Sequence, residues 1–206
     1  HKIILTILSR CQIFDFNRIK VADIAGHLEF VAKSEGVEVE KEGLNVIAQK
    51  ADGAMRDALS IFDQIVSFSG KNVTYHDVIT NLNVLDYDYY FRLTDQFLKN
   101  EVADALLTFD DILNHGFDGH HFITGLSSHF RDLLVCKDPV TVQLLEVGGE
   151  IKERYKTHAA ACESQFLLEA LQISNDCDLQ YKASQNKRLL IELALVRIAQ
   201  LTLKKK

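Results

Sequence analysis

Two arginines are the residues with most to offer chemically. Arg56 lies in Gly53-Ala54-Met55-Arg56-Asp57-Ala58-Leu59-Ser60, which reads as the opening of a helix with Asp52 as its N-cap. Ala58, Leu59, Phe62, Ile65 and Val66 follow at the spacing of an amphipathic stripe. A cation in the first turn faces the positive end of the helix dipole, which is unfavourable by about 0.3–1 kcal/mol. Such an arginine is either tied to a neighbouring carboxylate (Asp52, Asp57 or Asp63) or kept for an anion that arrives from outside. Arg10 follows a short apolar segment, residues 3–9, that could form two turns of helix. There it can cap the helix C-terminus or point outward.

Other chemistry has less support. His115, His120, His121 and His129 gather on and before one predicted helix. His121 and His129 share a face but stand roughly 12 Å apart by helix rise. That is too far for one zinc, and no His-Glu-x-x-His occurs, so no metal site is assigned. Cys11, Cys136, Cys162 and Cys177 are scattered without a Cys-x-x-Cys, and read as reduced thiols. A Walker A loop, Gly-x-Gly-x-x-Gly and Gly-x-Ser-x-Gly are all missing. Nothing in this sequence cradles a nucleotide's phosphates alone.

The elements that must position the arginines are helical. Pro139 is the only proline among 206 residues, and the apolar fraction of 47% supports a real core. Periodicity predicts helices over 20–34, with Gly36 as the stop, over 40–51 and over 53–68. Thr74-x-x-Asp77 reads as a capping box ahead of Val78, Ile79 and Leu82. Further helices are predicted at 87–99, 102–114, 119–136, 149–161, 163–181 and 186–203. Residues 11–16, Cys-Gln-Ile-Phe-Asp-Phe, alternate as a strand that would need a sheet from elsewhere. The pattern breaks at 83–88, which places a domain boundary there. The last helix begins at Asn186, can pair Arg188 with Glu192, and is apolar nearly all the way round. That pattern predicts burial in its own domain or against another subunit.

Net charge is −6, with 9 basic and 11 acidic side chains up to residue 83 and 14 and 18 beyond it. Neither part has the basic excess of a self-sufficient nucleic-acid binder. No apolar run approaches the ~20 residues of a membrane span. The chain opens on His1 with nothing like a signal peptide, and reads as cut from a longer one.

Residues 1–16 (HKIILTILSRCQIFDF), 53–64 (GAMRDALSIFDQ) and 179–201 (LQYKASQNKRLLIELALVRIAQL) resemble the gamma/tau subunit family of the bacterial DNA polymerase III clamp loader, an AAA+ ATPase. Leu5 and Lys187 stand where that family usually has proline. The resemblance implies an all-α chain in three parts: a remnant of the α/β ATPase core at 1–16, a lid bundle at 17–83 and a helical collar at 84–206. In the Ser9-Arg10-Cys11 motif, Arg10 corresponds to the arginine finger that reaches ATP on the adjacent subunit. Arg56 corresponds to sensor 2, which contacts the nucleotide of its own subunit. A planar, permanently charged guanidinium suits the charge that phosphoryl transfer places on phosphate oxygens. The resemblance further implies ATP and Mg²⁺ in the full-length protein, with the P-loop and the family's zinc module upstream. Its implied partners are gamma/tau copies, delta and delta-prime through the collar, and the sliding clamp and primed DNA in the whole assembly. It implies a cytoplasmic, nucleoid-associated protein without a membrane anchor. The alternatives are a non-catalytic oligomerisation module, which could self-associate, and a delta-prime-like stator.

Overall fold

The computed structural model describes residues 7, 9–12, 14 and 17–205. Most of the helix expected at 3–9 and half of the strand expected at 11–16 lie outside them. Within those spans Ile7 is helical, Ser9 and Arg10 form a turn, and Cys11, Gln12 and Phe14 take no strand.

The first bundle holds α1 (Val21–Glu35), β1 (Glu38–Val39), α2 (Lys41–Lys50), α3 (Met55–Ser69), β2 (Asn72–Val73) and α4 (Tyr75–Asn81). Its core is the set of apolar stripes read from the sequence: Ile24 and Leu28 of α1, Leu44 and Ile47 of α2, Phe62 and Ile65 of α3, Val78 of α4. Gly36 ends α1 at φ 67°, a left-handed cap that costs glycine little. Thr74 and Asp77 form the expected capping box. The parallel pairing of β1 with β2, Glu38 opposite Asn72 and Val39 opposite Val73, was not expected; two-residue strands are too short to leave a periodicity.

The second bundle holds α5 (Tyr87–Leu98), α6 (Val102–Asn114), α7 (Gly119–Val135), α8 (Gly149–Ala161), α9 (Ser164–Tyr181) and α10 (Lys187–Ala199), with 3₁₀ turns at Thr141–Leu144 and Gln200–Lys205. α7 packs along α9, and Phe91, Phe97, Phe109, Phe122, Phe130 and Tyr155 fill the interior. His129 is buried in that interior as a packing residue. Its Nε2 lies 3.1 Å from the Thr94 hydroxyl and its Nδ1 2.9 Å from that of Tyr155. Among the described residues no cluster of three His, Cys, Asp or Glu side chains could hold a metal. The four cysteines are free.

The last helix resolves its two possibilities into two faces. Ile191, Ala194, Leu195, Ile198 and Ala199 are buried in the core, while Leu189 and Leu193 stay about half exposed. Arg188 Nε meets Glu192 at 2.7 Å as expected, and its Nη2 also reaches Asp110 of α6 at 2.8 Å. No helix of the described residues is long and apolar enough to cross a membrane.

The two apolar cores are separate, one ending at Val84 and the next beginning at Leu85. Polar contacts join the bundles. The Gln49 side-chain amide donates to the carbonyl of Glu146 and accepts from the Tyr87 hydroxyl at 3.2 Å. A cavity of about 640 Å³ opens beside this joint, lined from both bundles by Gln49, Asn83, Tyr87, Tyr90, Phe122 and Asp132.

Candidate functional site

Asp52 is not the N-cap of α3. It sits at φ 48° and Gly53 at φ 83°, and the Ala54 N–H closes onto the Ala51 carbonyl at 3.0 Å. Positive φ at both central residues is the demand of a type I′ turn, and Asp-Gly is a favoured pair for it. The turn consumes the two residues that would have capped the helix. α3 therefore starts at Met55, with Ala54 as a cap that offers no side-chain acceptor. The Asp52 carboxylate is turned away from the helix and pairs with Arg18.

Two consequences follow for Arg56. The N–H groups of Met55, Arg56 and Asp57 find no acceptor among the described residues. Those groups carry the positive end of the helix dipole. The Arg56 side chain is itself exposed and forms no ion pair or hydrogen bond there, with Asp52, Asp57, Asp63 or any other described residue. The local ion pair that could have explained this arginine is not formed. An exposed guanidinium beside uncapped N–H groups is an arrangement suited to an anion, and a phosphate oxygen fits its chemistry.

Arg10 lies in an exposed turn, its own N–H donating to the Ile7 carbonyl at 3.0 Å, and Ser9 and Cys11 beside it are exposed too. No hydrogen bond or ion pair joins Arg10 to Arg56 among the described residues. Arg10 and Arg56 are thus separate exposed cationic groups among the described residues.

A family model for the DNA polymerase III clamp loader subunit ATPase lid domain matches residues 23–71, and one for domain III of the DNA polymerase III subunits gamma and tau matches residues 73–206. The chain belongs to the DNA polymerase III gamma/tau clamp-loader family. The DNA polymerase III subunit tau of Bacillus subtilis is 34% identical over 97% of this chain and 36% of its own length. The gamma/tau subunit of Mycoplasma genitalium is 35% identical over 61% of this chain and 21% of its own. The chain therefore spans about a third or less of the length of these two relatives. Among solved structures, the Bacillus subtilis clamp loader delta protein superposes with a TM-score of 0.52 at 16% identity, over 95% of this chain and 61% of that one. That likeness is one of fold.

Sequence reasoning missed the residues around Arg56. Asp52 and Gly53 form a turn, and Arg18 and Ile19 lie against it. The Asp-Gly pair itself was the available signal.

Proposed function

We propose that these residues are the lid and collar of an ATP-dependent clamp-loader subunit of DNA polymerase III, which loads the ring-shaped sliding clamp onto primed DNA in the bacterial cytoplasm. The lid spans 17–83 and the collar 84–206, and residues 1–16 belong to the end of the ATPase core. Arg56 contacts the phosphates of the nucleotide held by its own subunit. Arg10, carried by Ser9-Arg10-Cys11, reaches the nucleotide of a neighbour and makes hydrolysis conditional on assembly. ATP and Mg²⁺ are bound by parts of the protein outside this chain, as is the family's zinc. The exposed leucines of α10 meet other clamp-loader subunits in the collar.

The observation that supports this reading most is the unpaired, exposed Arg56 on an uncapped helix N-terminus. An arginine costs stability there unless an anion comes to it. The test is made in the full-length subunit within its complex. Arg56→Ala is expected to weaken ATP-analogue binding tenfold or more, and unchanged affinity and turnover would remove the role. Arg10→Ala is expected to lower clamp-stimulated hydrolysis by about 10³-fold or more, with binding retained, the scale of trans arginine fingers in other NTPases. Normal turnover would remove the finger.

A further inference from the structure

The segment that leads into α1 crosses directly over the turn that leads into α3. The Ile19 N–H donates to the Gly53 carbonyl at 3.2 Å, and the Arg18 guanidinium pairs with the Asp52 carboxylate. A Cβ on Gly53 would stand 2.6 Å from the Arg18 Cβ and 3.2 Å from its Cα. These are stem and backbone atoms, which cannot swing aside as a side-chain tip can. Gly53 is thus required twice, by its positive φ and by the crossing. The Arg18–Asp52 pair is about three-quarters exposed, so taken alone it would be worth little. Here it adds to a backbone hydrogen bond and a close backbone crossing at the same point, three residues before Arg56.

From this juxtaposition we propose that Arg18, Asp52 and Gly53 are positioning residues for Arg56: they fasten the start of α3 to the linker that follows Arg10, and so set where the Arg56 guanidinium stands against the nucleotide. The proposal rests on the reading of Arg56 as a phosphate contact. It goes beyond that reading by naming what holds the arginine in place. Residues 17–20 take no helix or strand, and the turn Ala51–Ala54 has no side-chain cap to fix its exit direction. The crossing supplies that direction. The crossing ties the start of α3, and with it Arg56, to residues 18 and 19.

The test uses the full-length subunit in its complex, with ATP turnover and hydrogen exchange as readouts. Arg18→Gln and Asp52→Asn each remove the charge pair, and asparagine still tolerates the left-handed backbone at position 52. Each is expected to raise the KM for ATP about two- to five-fold with kcat retained, the range of an exposed pair converted to an affinity ratio. The double variant should show no further rise, and Arg18→Lys should restore most of the loss. In an Arg56→Ala background Arg18→Gln should change nothing, because it acts through Arg56. Faster amide exchange at Ile19 and Ala54 in Arg18→Gln would report the loosened crossing directly. If Arg56→Ala weakens ATP binding but Arg18→Gln and Asp52→Asn leave KM unchanged, the positioning role is overturned and the reading of Arg56 survives. Additive losses in the Arg56→Ala background would equally overturn it. If Arg56→Ala itself has no effect, both fall together.

Discussion

The buried His129 makes a prediction whose size can be worked out from its partners. The Thr94 hydroxyl donates to the Tyr90 carbonyl at 3.0 Å, so it accepts from His129 Nε2–H, and the Tyr155 hydroxyl donates to Nδ1. Both ring nitrogens are committed to the neutral form. Burial, reinforced by His158 and Arg154, pushes the pKa down to about 3. In the unfolded chain it returns to about 6.5. Below that value the unfolded state takes up a proton that the native state refuses. The stability contribution is therefore full above pH ~6.5 and falls as pH drops toward 3, by up to about 1.4 kcal/mol per pH unit. Between pH 7 and 5 the loss is about 2 kcal/mol, a figure that holds for any native pKa below about 4. For a chain of this size it equals about 4–8 °C in Tm. The perturbation is His129→Gln, which cannot titrate, and the assay is denaturant unfolding at pH 7, 6 and 5. Asp132 on the same helix has its pKa raised by burial, so its contribution is present at low pH and lost as pH rises. It is common to both proteins and cancels in the comparison. The variant starts less stable, by about 1–3 kcal/mol if the Tyr155 hydroxyl loses its acceptor, but its stability should fall less steeply. Equal pH slopes in the two proteins would refute the reasoning.

Gly125→Ala should destabilise the second bundle by about 1–3 kcal/mol, because the new methyl would overlap the Tyr90 hydroxyl and stand 2.7 Å from its Cζ. In a Tyr90→Phe background the thermal shift should be smaller, and an equal shift would refute the clash. A thiol reagent should label Cys11 first under native conditions, since it is exposed. Cys162 and Cys177 are buried with thiol pKa values pushed up to about 11, and should react only on unfolding; peptide mapping that finds Cys177 labelled as fast would contradict this. Leu193→Glu should leave helicity and Tm nearly unchanged, because the side chain is half exposed, yet weaken association with other clamp-loader subunits tenfold or more in sedimentation velocity. Undiminished association would remove α10 from the contact.

Helix identity was legible because each stripe met one core. Ile24, Leu28 and Ala32, or Phe122, Leu126, Phe130 and Leu133, recur at helical spacing and are all buried. Caps with a strong chemical signature, Thr74 with Asp77 and Asn186 before α10, were legible for the same local reason. Asp52 misled because two local preferences compete for it: aspartate is a good N-cap, and Asp-Gly is a good I′ turn. The turn prevails where the linker crosses Gly53, a contact over more than thirty residues of sequence that no local pattern carries. His129 was similarly ambiguous, since an apolar face with one histidine looks the same whether Thr94 and Tyr155 wait opposite or not. The exposed state of Arg56 could only be posed as a choice until its neighbours were located.

The seam between the bundles bears on how the two halves can behave. Each half closes its own apolar core, so sliding one half on the other opens neither of them. What must break is a handful of polar links such as those of Gln49, and water entering the adjoining void can replace them nearly in kind. The joint is thus cheap to bend while both halves stay rigid. Gln49 and Arg56, seven residues apart, ride on the same side of the seam, so the arginine travels with the first bundle as one body whenever the joint bends.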